Sequence, residues 1–320
     1  WERTRRALLD GGRRVLARKG VEAATVLEIV REAGVSQPSF YNPFASTDQL
    51  VEAIAADLFE RDVRHKLRVF SRIADPAEAI ATANRARRVV TVSEFSAREI
   101  EALYGIPRER VVVIHNGVTE EFSPVQDEQG MAVLRARWAI PSAGFILFVG
   151  GADPRKNHRV FLQAVAQSRS QLGGRAILLV GDAEHPQGSY LATARSLGLE
   201  QDVRCTGRLN REDLCRLYSY AEVFVFPSLY EGFGMPVLEA MACGAPTITS
   251  STSSLPEVAG DAALLVNPED AEALGAAMVK VLSEQALRQQ LRDRGFERTR
   301  LFTWQRAALR TSALYRELCA

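Results

Sequence analysis

Residues 223–250 read VFVFPSLYEGFGMPVLEAMACGAPTITS, and the order of segments within this stretch decides the fold. The short apolar runs at its two ends have the character of buried strands, and between them a loop with two glycines precedes an apolar helical segment. Pro236 suits the first turn of that helix, where its missing N–H needs no partner. The stretch therefore predicts a β-α-β unit of a parallel sheet, a fold that binds ligands at the carboxyl ends of its strands.

The same alternation of apolar runs and helical segments continues on both sides of this stretch. Runs with strand character occupy residues 145–151, 176–181, 203–207 and 263–268. Strands that are covered by helices on both faces form a doubly wound α/β fold of the Rossmann type. We expect this fold over residues 125–320, including helices at the carboxyl end.

The composition argues against several classes of protein. The 320 residues carry a formal net charge of +1, so a tail that grips nucleic acid by charge alone is not expected. No apolar run reaches the ~18 residues of a membrane span. The four cysteines form no CxxC pair, so we expect packed, reduced thiols in a cytoplasmic protein and no metal site. A peripheral position at the inner face of the membrane is the alternative location.

Two glutamates and two glycines mark the loop and the helix of the opening stretch. Glu231 lies in the loop, and Glu239 follows eight positions later, near the start of the helix. Gly232 and Gly234 let the backbone approach a ligand, and the free amides at the helix start favour a phosphate or diphosphate. Carboxylates beside an anion site accept hydrogen bonds from hydroxyl groups. We therefore expect both glutamates to line one pocket for a sugar and a ribose.

A second loop supplies positive charge. The segment VGGADPRKNHR follows the strand at 145–151 and places Arg155 and Lys156 at the same edge of the sheet. Two cations and a helix N-terminus neutralise a leaving diphosphate, although a solvated turn is the alternative interpretation. Paired carboxylates also occur in glycosidases, but a glycosidase needs no diphosphate site. These residues therefore predict the transfer of a sugar from an activated donor.

Residues of about 87–318 resemble the C-terminal half of the GT-B glycosyltransferases of family 4, which are retaining nucleotide-sugar transferases. The E-x7-E element from Glu231 to Glu239 carries the resemblance, together with PRKN and SSLPEVAGDAALLVNPED. The resemblance implies that Glu231 contacts the donor sugar and that Glu239 binds the ribose. It also implies that Arg155 and Lys156 hold the diphosphate during catalysis. The further donor contacts that it implies are Gly207, Arg208, Leu209, Gly232, Phe233, Gly234, Met235, Pro236 and Val237.

The same resemblance implies the reaction and its partners. A hydroxyl of a saccharide or lipid-linked acceptor attacks the donor sugar with retained configuration, and no cofactor or metal takes part. PRKN and SSLPEV are typical of the mannosyltransferase-like members. They favour GDP-mannose as the donor, with a UDP-linked sugar as the alternative. Gly151 stands where the family more usually has an arginine, so Arg155 is expected to take its place.

Residues 1–72 have helical periodicity, which predicts a small all-α domain. Thr25 begins a capping box, and AGVS joins two short helices, the second of which begins at Ser36 as its N-cap. GVSQPSFYNPF resembles the helix-turn-helix of the TetR-type DNA-binding domains. The contacts to double-stranded DNA that it implies are Thr25, Gln37, Pro38, Ser39, Tyr41 and Asn42. Pro43 ends the recognition helix early, and Thr47 replaces a lysine that often binds phosphate. A helical packing unit without a DNA role is the alternative.

Residues 73–124 resemble the tail of the N-terminal Rossmann domain of a GT-B enzyme, with RVVTVSE and RVVVIHNGV as its last strands. We expect a packing or hinge role for His115 in the second run. Each half thus resembles a truncated member of its family, which suggests a chimeric chain. Strands without neighbours leave backbone groups unpaired, which predicts self-association or marginal order around residues 75–118.

Three functions fit these observations. The first is a glycosyltransferase, which the extent of the motifs favours. The second is a nucleotide-sugar-binding protein without turnover, because the acceptor half has no full counterpart in the sequence. The third is a DNA-binding transcriptional regulator in which the nucleotide-sugar half is the sensor.

Overall fold

The computed structural model describes residues 2–19, 24–46, 49–50, 53–54, 82–185 and 188–319. Contacts divide the chain into two units, which we call the helical unit and the sheet unit. The helical unit comprises Trp1–Ala86 and Thr303–Ala320, and the sheet unit comprises Arg87–Phe302. The sheet unit therefore takes in most of the segment that resembles the tail of an N-terminal Rossmann domain.

All the strands that the structure describes lie in the sheet unit. They are β1 Val89–Thr91, β2 Val111–Val113, β3 Phe145–Val149, β4 Ala176–Val180, β5 Glu184–His185, β6 Gly188–Ser189, β7 Val203–Gly207, β8 Val223–Phe226, β9 Thr247–Ser250 and β10 Ala263–Val266. Among the described residues, six strands form one parallel sheet in the order β10-β9-β8-β3-β4-β7. The strands predicted from the apolar runs are confirmed.

Helices connect these strands and also form the helical unit. Their bounds are α1 Glu2–Lys19, α2 Val26–Ala33, α3 Glu94–Tyr104, α4 Glu128–Arg137, α5 His158–Ser168, α6 Tyr190–Ser196, α7 Arg211–Tyr220, α8 Met235–Ala242, α9 Leu255–Ala259, α10 Ala271–Ser283, α11 Gln285–Thr299 and α12 Trp304–Cys319. Residues 49–50, 53–54 and 82–85 are also helical. Of the helices that the structure describes, none has both the length and the apolar character that a membrane span requires.

Helices cover both faces of the sheet because the central strands are apolar on both sides. Phe145 and Leu147 of β3 pack in one hydrophobic cluster with residues of α7 and α8. Ile146 and Phe148, which alternate with them, pack in a second cluster with residues of α5 and α10. Successive side chains of a strand point to opposite faces, so this division is that of a doubly wound sheet.

A small parallel pair precedes the main sheet. β1 and β2 pair from Val89 opposite Val111 to Thr91 opposite Val113, and α3 connects them. The two strands predicted in RVVTVSE and RVVVIHNGV are therefore confirmed. The predicted self-association and marginal order around residues 75–118 stay predictions, and residues 75–81 lie outside the described part of the chain.

The helical unit includes α1 and α2, and the capping of α2 is as the sequence predicts. Thr25 and Glu28 form the expected capping box at the start of α2, and Gly34 ends it in the left-handed region with φ 66°. The helical unit has a hydrophobic core of its own, whose buried members are Leu8, Leu9, Val15, Ile29, Val30, Phe40, Phe44, Leu50, Ala53 and Ile54. Thr47 lies outside the described residues.

The second helix of the predicted helix-turn-helix is a single 3₁₀ turn at Gln37–Ser39. The prediction that Ser36 is its side-chain cap is wrong, because its hydroxyl bonds the Ser39 hydroxyl (2.7 Å) instead of a backbone N–H. Pro38 has no N–H to give, and the turn closes by i to i+3 backbone bonds at Ser39 and Phe40.

Candidate functional site

The two predicted loops follow strands that lie side by side in the sheet. β3 and β8 pair with Ile146 opposite Val223 and Leu147 opposite Phe224. From β3 the chain adds β4 and β7 on one side, and from β8 it adds β9 and β10 on the other. This reversal is a topological switch point, where doubly wound sheets open a crevice at the carboxyl ends of their strands.

Lys156 and Glu231 are in direct contact at this switch point. Lys156 follows β3, and its Nζ donates to Oε1 of Glu231 at 2.6 Å. The Ser228 hydroxyl donates to the same oxygen at 2.8 Å. The side chains of Lys156 and Glu231 are only 18% and 12% exposed, so water screens the ion pair weakly. The structure thus joins two of the predicted site residues across 75 positions of sequence.

Arg155 points elsewhere. Its side chain is 58% exposed and forms an ion pair with Asp153 at 2.7 Å. The hydrogen bond to Asp153 raises the pKa of the Arg155 guanidinium. Its backbone oxygen accepts from the Leu229 N–H at 2.8 Å and shares the single proton of the Ser228 hydroxyl with Oε1 of Glu231, each at 2.8 Å. Arg155 therefore ties the β3 and β8 loops together through its backbone, and its predicted contact with a diphosphate stays a prediction.

Asn157 is a site residue that the sequence reasoning missed. Its side-chain amide donates to the backbone oxygens of Pro227 at 3.0 Å and Pro268 at 2.6 Å, and the residue is 6% exposed. It thereby joins the loops that follow β3, β8 and β10. Its φ of 61° lies in the left-handed region, which asparagine tolerates better than most residues. The sequence signal that could have identified Asn157 is its place as the last residue of the PRKN motif.

The start of α8 offers unoccupied amide donors. Gly234 has φ 107°, and a Cβ there would lie 2.6 Å from Leu255, so the position requires glycine. No side chain caps the helix. Within the described residues, the N–H groups of Phe233, Gly234 and Met235 have no acceptor. A helix N-terminus of this kind binds anions.

Gly232 differs from Gly234 in what surrounds it. A Cβ at Gly232 would meet the Ser96 hydroxyl at 3.7 Å, an ordinary contact distance. Pro236 and Val237 continue the first turn of α8, as the sequence predicts.

Glu239 lies one turn into α8 and faces α7. The Tyr218 hydroxyl donates to its Oε2 at 3.3 Å. Burial raises the pKa of Glu239 to about 6, while the Tyr218 bond and the charge of Arg211 act in the opposite direction. The two glutamates thus have different neighbours, Lys156 for Glu231 and Tyr218 for Glu239.

The loop that precedes α7 holds three of the predicted donor contacts, Gly207, Arg208 and Leu209. Gly207 ends β7 with φ 71°, and Leu209 packs against the core cluster of α7 and α8. The Arg208 side chain is 82% exposed and forms an ion pair with Asp182 at 2.6 Å. The hydrogen bond from Arg208 lowers the pKa of Asp182. This loop leads into α7, the helix that Glu239 faces. The contact of these three residues with the donor stays a prediction.

Comparison with known protein families decides the membership of the chain. The family model described as "Glycosyl transferases group 1" matches residues 133–298, just over half of the chain. The chain belongs to the glycosyl transferases group 1 family. The model described as "Glycosyltransferase Family 4" matches residues 47–122, and that of "Bacterial regulatory proteins, tetR family" matches residues 8–54.

Curated members of the glycosyl transferase families resemble the chain over nearly three quarters of its length. O-antigen chain mannosyltransferase B of Escherichia coli is 33% identical over 73% of this chain and 61% of its own length. MMP alpha-(1->4)-mannosyltransferase of Mycolicibacterium hassiacum is 34% identical over 72% of this chain and 54% of its own length. The chain therefore spans less than two thirds of the length of either relative.

Solved structures confirm the fold class. The crystal structure of a glycosyltransferase from Rickettsia africae superposes with a TM-score of 0.67 at 21% identity, over 77% of this chain and 68% of that chain. The α/β fold predicted from the alternating apolar runs is thus the fold of the glycosyl transferase family, preceded in sequence by a small all-α segment.

Residues of the β1–α3–β2 segment form a second group that the sequence reasoning missed. The hydroxyls of Ser93 and Ser96 both donate to the Gly232 backbone oxygen, at 2.7 and 3.1 Å. Glu257 accepts from the N–H groups at the start of α3 and bonds Nε2 of His115 at 2.7 Å. Burial of Glu257 opposes ionisation, but these hydrogen bonds outweigh it and lower the pKa. These contacts join residues that are 136 to 163 positions apart in the sequence. No local sequence pattern could therefore predict them.

The predicted DNA-contacting residues of the helical unit lie mostly at the surface. Thr25, Gln37, Pro38, Tyr41 and Asn42 are exposed, Tyr41 to 55%, and Ser39 is half-buried. Exposure leaves these side chains accessible to a partner, and contact with DNA stays a prediction.

Proposed function

We propose that the sheet unit binds the nucleotide-diphosphate sugar of a retaining glycosyltransferase. The observation that carries this proposal is the sheltered Lys156–Glu231 pair at the topological switch point, beside the uncapped start of α8. A cation and free amides suit a diphosphate, and a carboxylate suits the hydroxyls of a sugar.

The proposed roles follow from this arrangement. Lys156 and the α8 amides stabilise the diphosphate as charge develops on it, and Arg155 joins them by leaving Asp153. Glu231 accepts from the donor sugar, and Glu239 accepts from the ribose. The acceptor oxygen bonds the anomeric carbon on the face from which the diphosphate departs, so the configuration is retained. The acceptor proton passes to the departing phosphate oxygen.

We propose GDP-mannose as the donor. The names of the relatives at 33% and 34% identity support mannose, and the PRKN and SSLPEV motifs support the same subgroup. A UDP-linked sugar is the alternative that the same titrations test. The acceptor is a saccharide or a lipid-linked saccharide, and neither a metal nor a cofactor is proposed.

Titration calorimetry of the full chain with GDP-mannose, GDP and UDP-glucose tests the donor site. Lys156→Met removes the charge but keeps the alkyl stem, and we expect it to weaken binding at least tenfold. Lys280→Met changes an exposed lysine of α10 and is the matched control. If the wild-type chain binds none of these nucleotides, the proposal is wrong. It is equally wrong if both lysine variants bind alike.

A turnover assay separates the enzyme from a binding protein without activity. The chain spans 61% of the length of the Escherichia coli relative, so binding of the donor does not by itself establish transfer. Release of GDP that depends on an added mannoside supports transfer. Binding of GDP-mannose without such release supports the non-catalytic alternative.

A second function is proposed for the helical unit. The match to the tetR family at residues 8–54 and the exposure of Tyr41 support a DNA-binding element fused to the donor half, with that half as its sensor. Binding of duplex DNA that weakens with salt and is lost in Tyr41→Ala tests this. Tyr104→Ala removes an exposed tyrosine of α3 and is the control. Equal binding by both variants would exclude the assignment.

A further inference from the structure

The Gly232 carbonyl is held by two hydroxyl groups from α3. Ser93, which is fully buried, donates at 2.7 Å, and Ser96 donates at 3.1 Å to the same oxygen. A carbonyl oxygen has two lone pairs, so both bonds form together. If the oxygen turned away, both bonds to it would be lost, and the buried Ser93 hydroxyl would keep only the Ser96 hydroxyl, 3.0 Å away, as an acceptor.

Fixing this oxygen also fixes the next N–H. The Gly232 C=O and the Phe233 N–H belong to one planar trans peptide, so they point in opposite directions. The serines draw the oxygen toward α3 and thereby direct the Phe233 N–H away from it. Within the described residues that N–H has no acceptor, and it follows Glu231 by two positions.

The start of α3 is bonded to Glu257, elsewhere in the sheet unit. Glu257 accepts from the N–H of Glu94 with both oxygens, at 2.9 Å each, and from the N–H of Phe95 at 3.2 Å. His115 bonds Glu257 at 2.7 Å from the other side. A carboxylate at a helix N-terminus is also favoured by the helix dipole. The two serines are therefore held against the loop by contacts that do not involve Gly232.

We propose that Ser93 and Ser96 are positioning residues of the donor site. They hold the Gly232–Phe233 peptide so that the Phe233 N–H donates to an oxygen of a nucleoside diphosphate sugar. This inference rests on the proposed function. It gives the β1–α3–β2 segment a part in donor binding.

Ser96→Ala removes the Ser96 bond to Gly232, together with the 3.0 Å contact between the two hydroxyls, and leaves the Ser93 bond to Gly232 in place. Ser93 also caps α3 by accepting the Ser96 N–H at 3.0 Å, so its loss would disturb the helix as well. Ser96 is half-buried, and its backbone N–H still reaches Ser93 after the change. Ser96→Thr keeps the hydroxyl. Ser189→Ala removes the side-chain cap of α6 and is the matched control.

Calorimetry with GDP-mannose on the full chain gives the first measurement. We expect Ser96→Ala to raise Kd about 3- to 10-fold, as for one lost neutral hydrogen bond. We expect Ser96→Thr and Ser189→Ala to stay within about twofold of wild type, and the ligand-free Tm of Ser96→Ala to stay within about 2 °C. In wild type, GDP-mannose should slow amide exchange at Phe233, and in Ser96→Ala this slowing should be reduced.

The outcomes separate this inference from the proposed function. A wild-type chain that binds neither GDP-mannose nor another nucleotide overturns both. Wild-type binding with an unchanged Kd in Ser96→Ala overturns the positioning role alone. So does an equal loss in Ser189→Ala, which would report general loosening. If Ser96→Ala does not fold, failure of Ser96→Thr to bind although it is folded overturns the inference.

Discussion

Replacing Glu239 with glutamine is expected to stabilise the chain at pH 8 and to weaken nucleotide binding. Burial raises the pKa of Glu239 from 4.5 to about 6. A shift of roughly 1.5 units at about 1.36 kcal/mol each corresponds to about 2 kcal/mol. The folded state binds the proton more tightly than the unfolded state. The ionised carboxylate therefore lowers the free energy of unfolding above pH 6, and this cost disappears as the pH falls below 4.5.

Thermal unfolding at two pH values measures this effect. At pH 8 the glutamine variant avoids the buried charge, and its amide oxygen still accepts from Tyr218. We expect a Tm above that of wild type by up to roughly 4–8 °C, reduced by the cost of burying the amide. At pH 4.5 the difference should fall below about 0.5 kcal/mol, because the wild-type carboxyl is then mostly protonated.

Nucleotide binding should change in the opposite direction. An ionised carboxylate accepts ribose hydroxyls more strongly than an amide, so we expect Kd for GDP-mannose, whose phosphates do not titrate between pH 5 and 7, to rise about tenfold in the variant at pH 8. Wild-type affinity should rise between pH 5 and 7, and the affinity of the variant should stay flat. Glu231→Gln is the matched control for stability, because it leaves Lys156 partly buried without its carboxylate. We expect it to destabilise the fold by about 1–3 kcal/mol.

Two results would refute this reasoning. If Glu239→Gln raises Tm no more at pH 8 than at pH 4.5, the buried charge of Glu239 does not lower the free energy of unfolding. A rise of affinity between pH 5 and 7 that persists in this variant would show that another group controls binding.

The remaining predictions concern residues that hold the site together. Asn157→Ala should lower the free energy of unfolding by about 2–4 kcal/mol in urea, because two buried carbonyls lose their donor; Asn157→Gly, which tolerates the same φ, separates backbone strain from that loss. Gly234→Ala should cost about 1–3 kcal/mol, whereas Gly232→Ala should cost less than about 1 kcal/mol, since only the former has positive φ and a 2.6 Å contact. Glu257 has a lowered pKa, so its contribution should be full above pH 4.5 and lost as the pH falls below it; a Glu257→Gln variant should lack this part of the acid transition.

The sheet and the position of its loops could be predicted because apolar runs and helical segments alternate locally. The placing of Lys156 and Glu231 at one edge followed from the rule that carboxyl ends of neighbouring parallel strands meet there, but their direct ion pair was not predicted. The direction of Glu239 did not follow, because its neighbour Tyr218 is set by packing of α7 on α8. Ser36 shows the same limit on a smaller scale. Its hydroxyl could bond either a backbone N–H or the Ser39 hydroxyl, and the sequence does not indicate which of the two it chooses.

The β1–α3–β2 segment shows how a segment that resembles part of a larger domain can be held by contacts within this chain. Its strands read as the remnant of a larger sheet, and unpaired strands predict disorder or self-association. Its polar groups, however, bond the rest of the sheet unit: the Ser93 hydroxyl donates to Gly232, and the first amides of α3 donate to Glu257. Because Ser93 is fully buried, its hydrogen bond is costly to leave unmade, and the segment is held by contacts that do not depend on further strands. The loop that contains Gly232 and the β1–α3–β2 segment therefore stabilise each other. A site defined only from residue 125 onward would lack the two hydroxyls that bond the Gly232 oxygen.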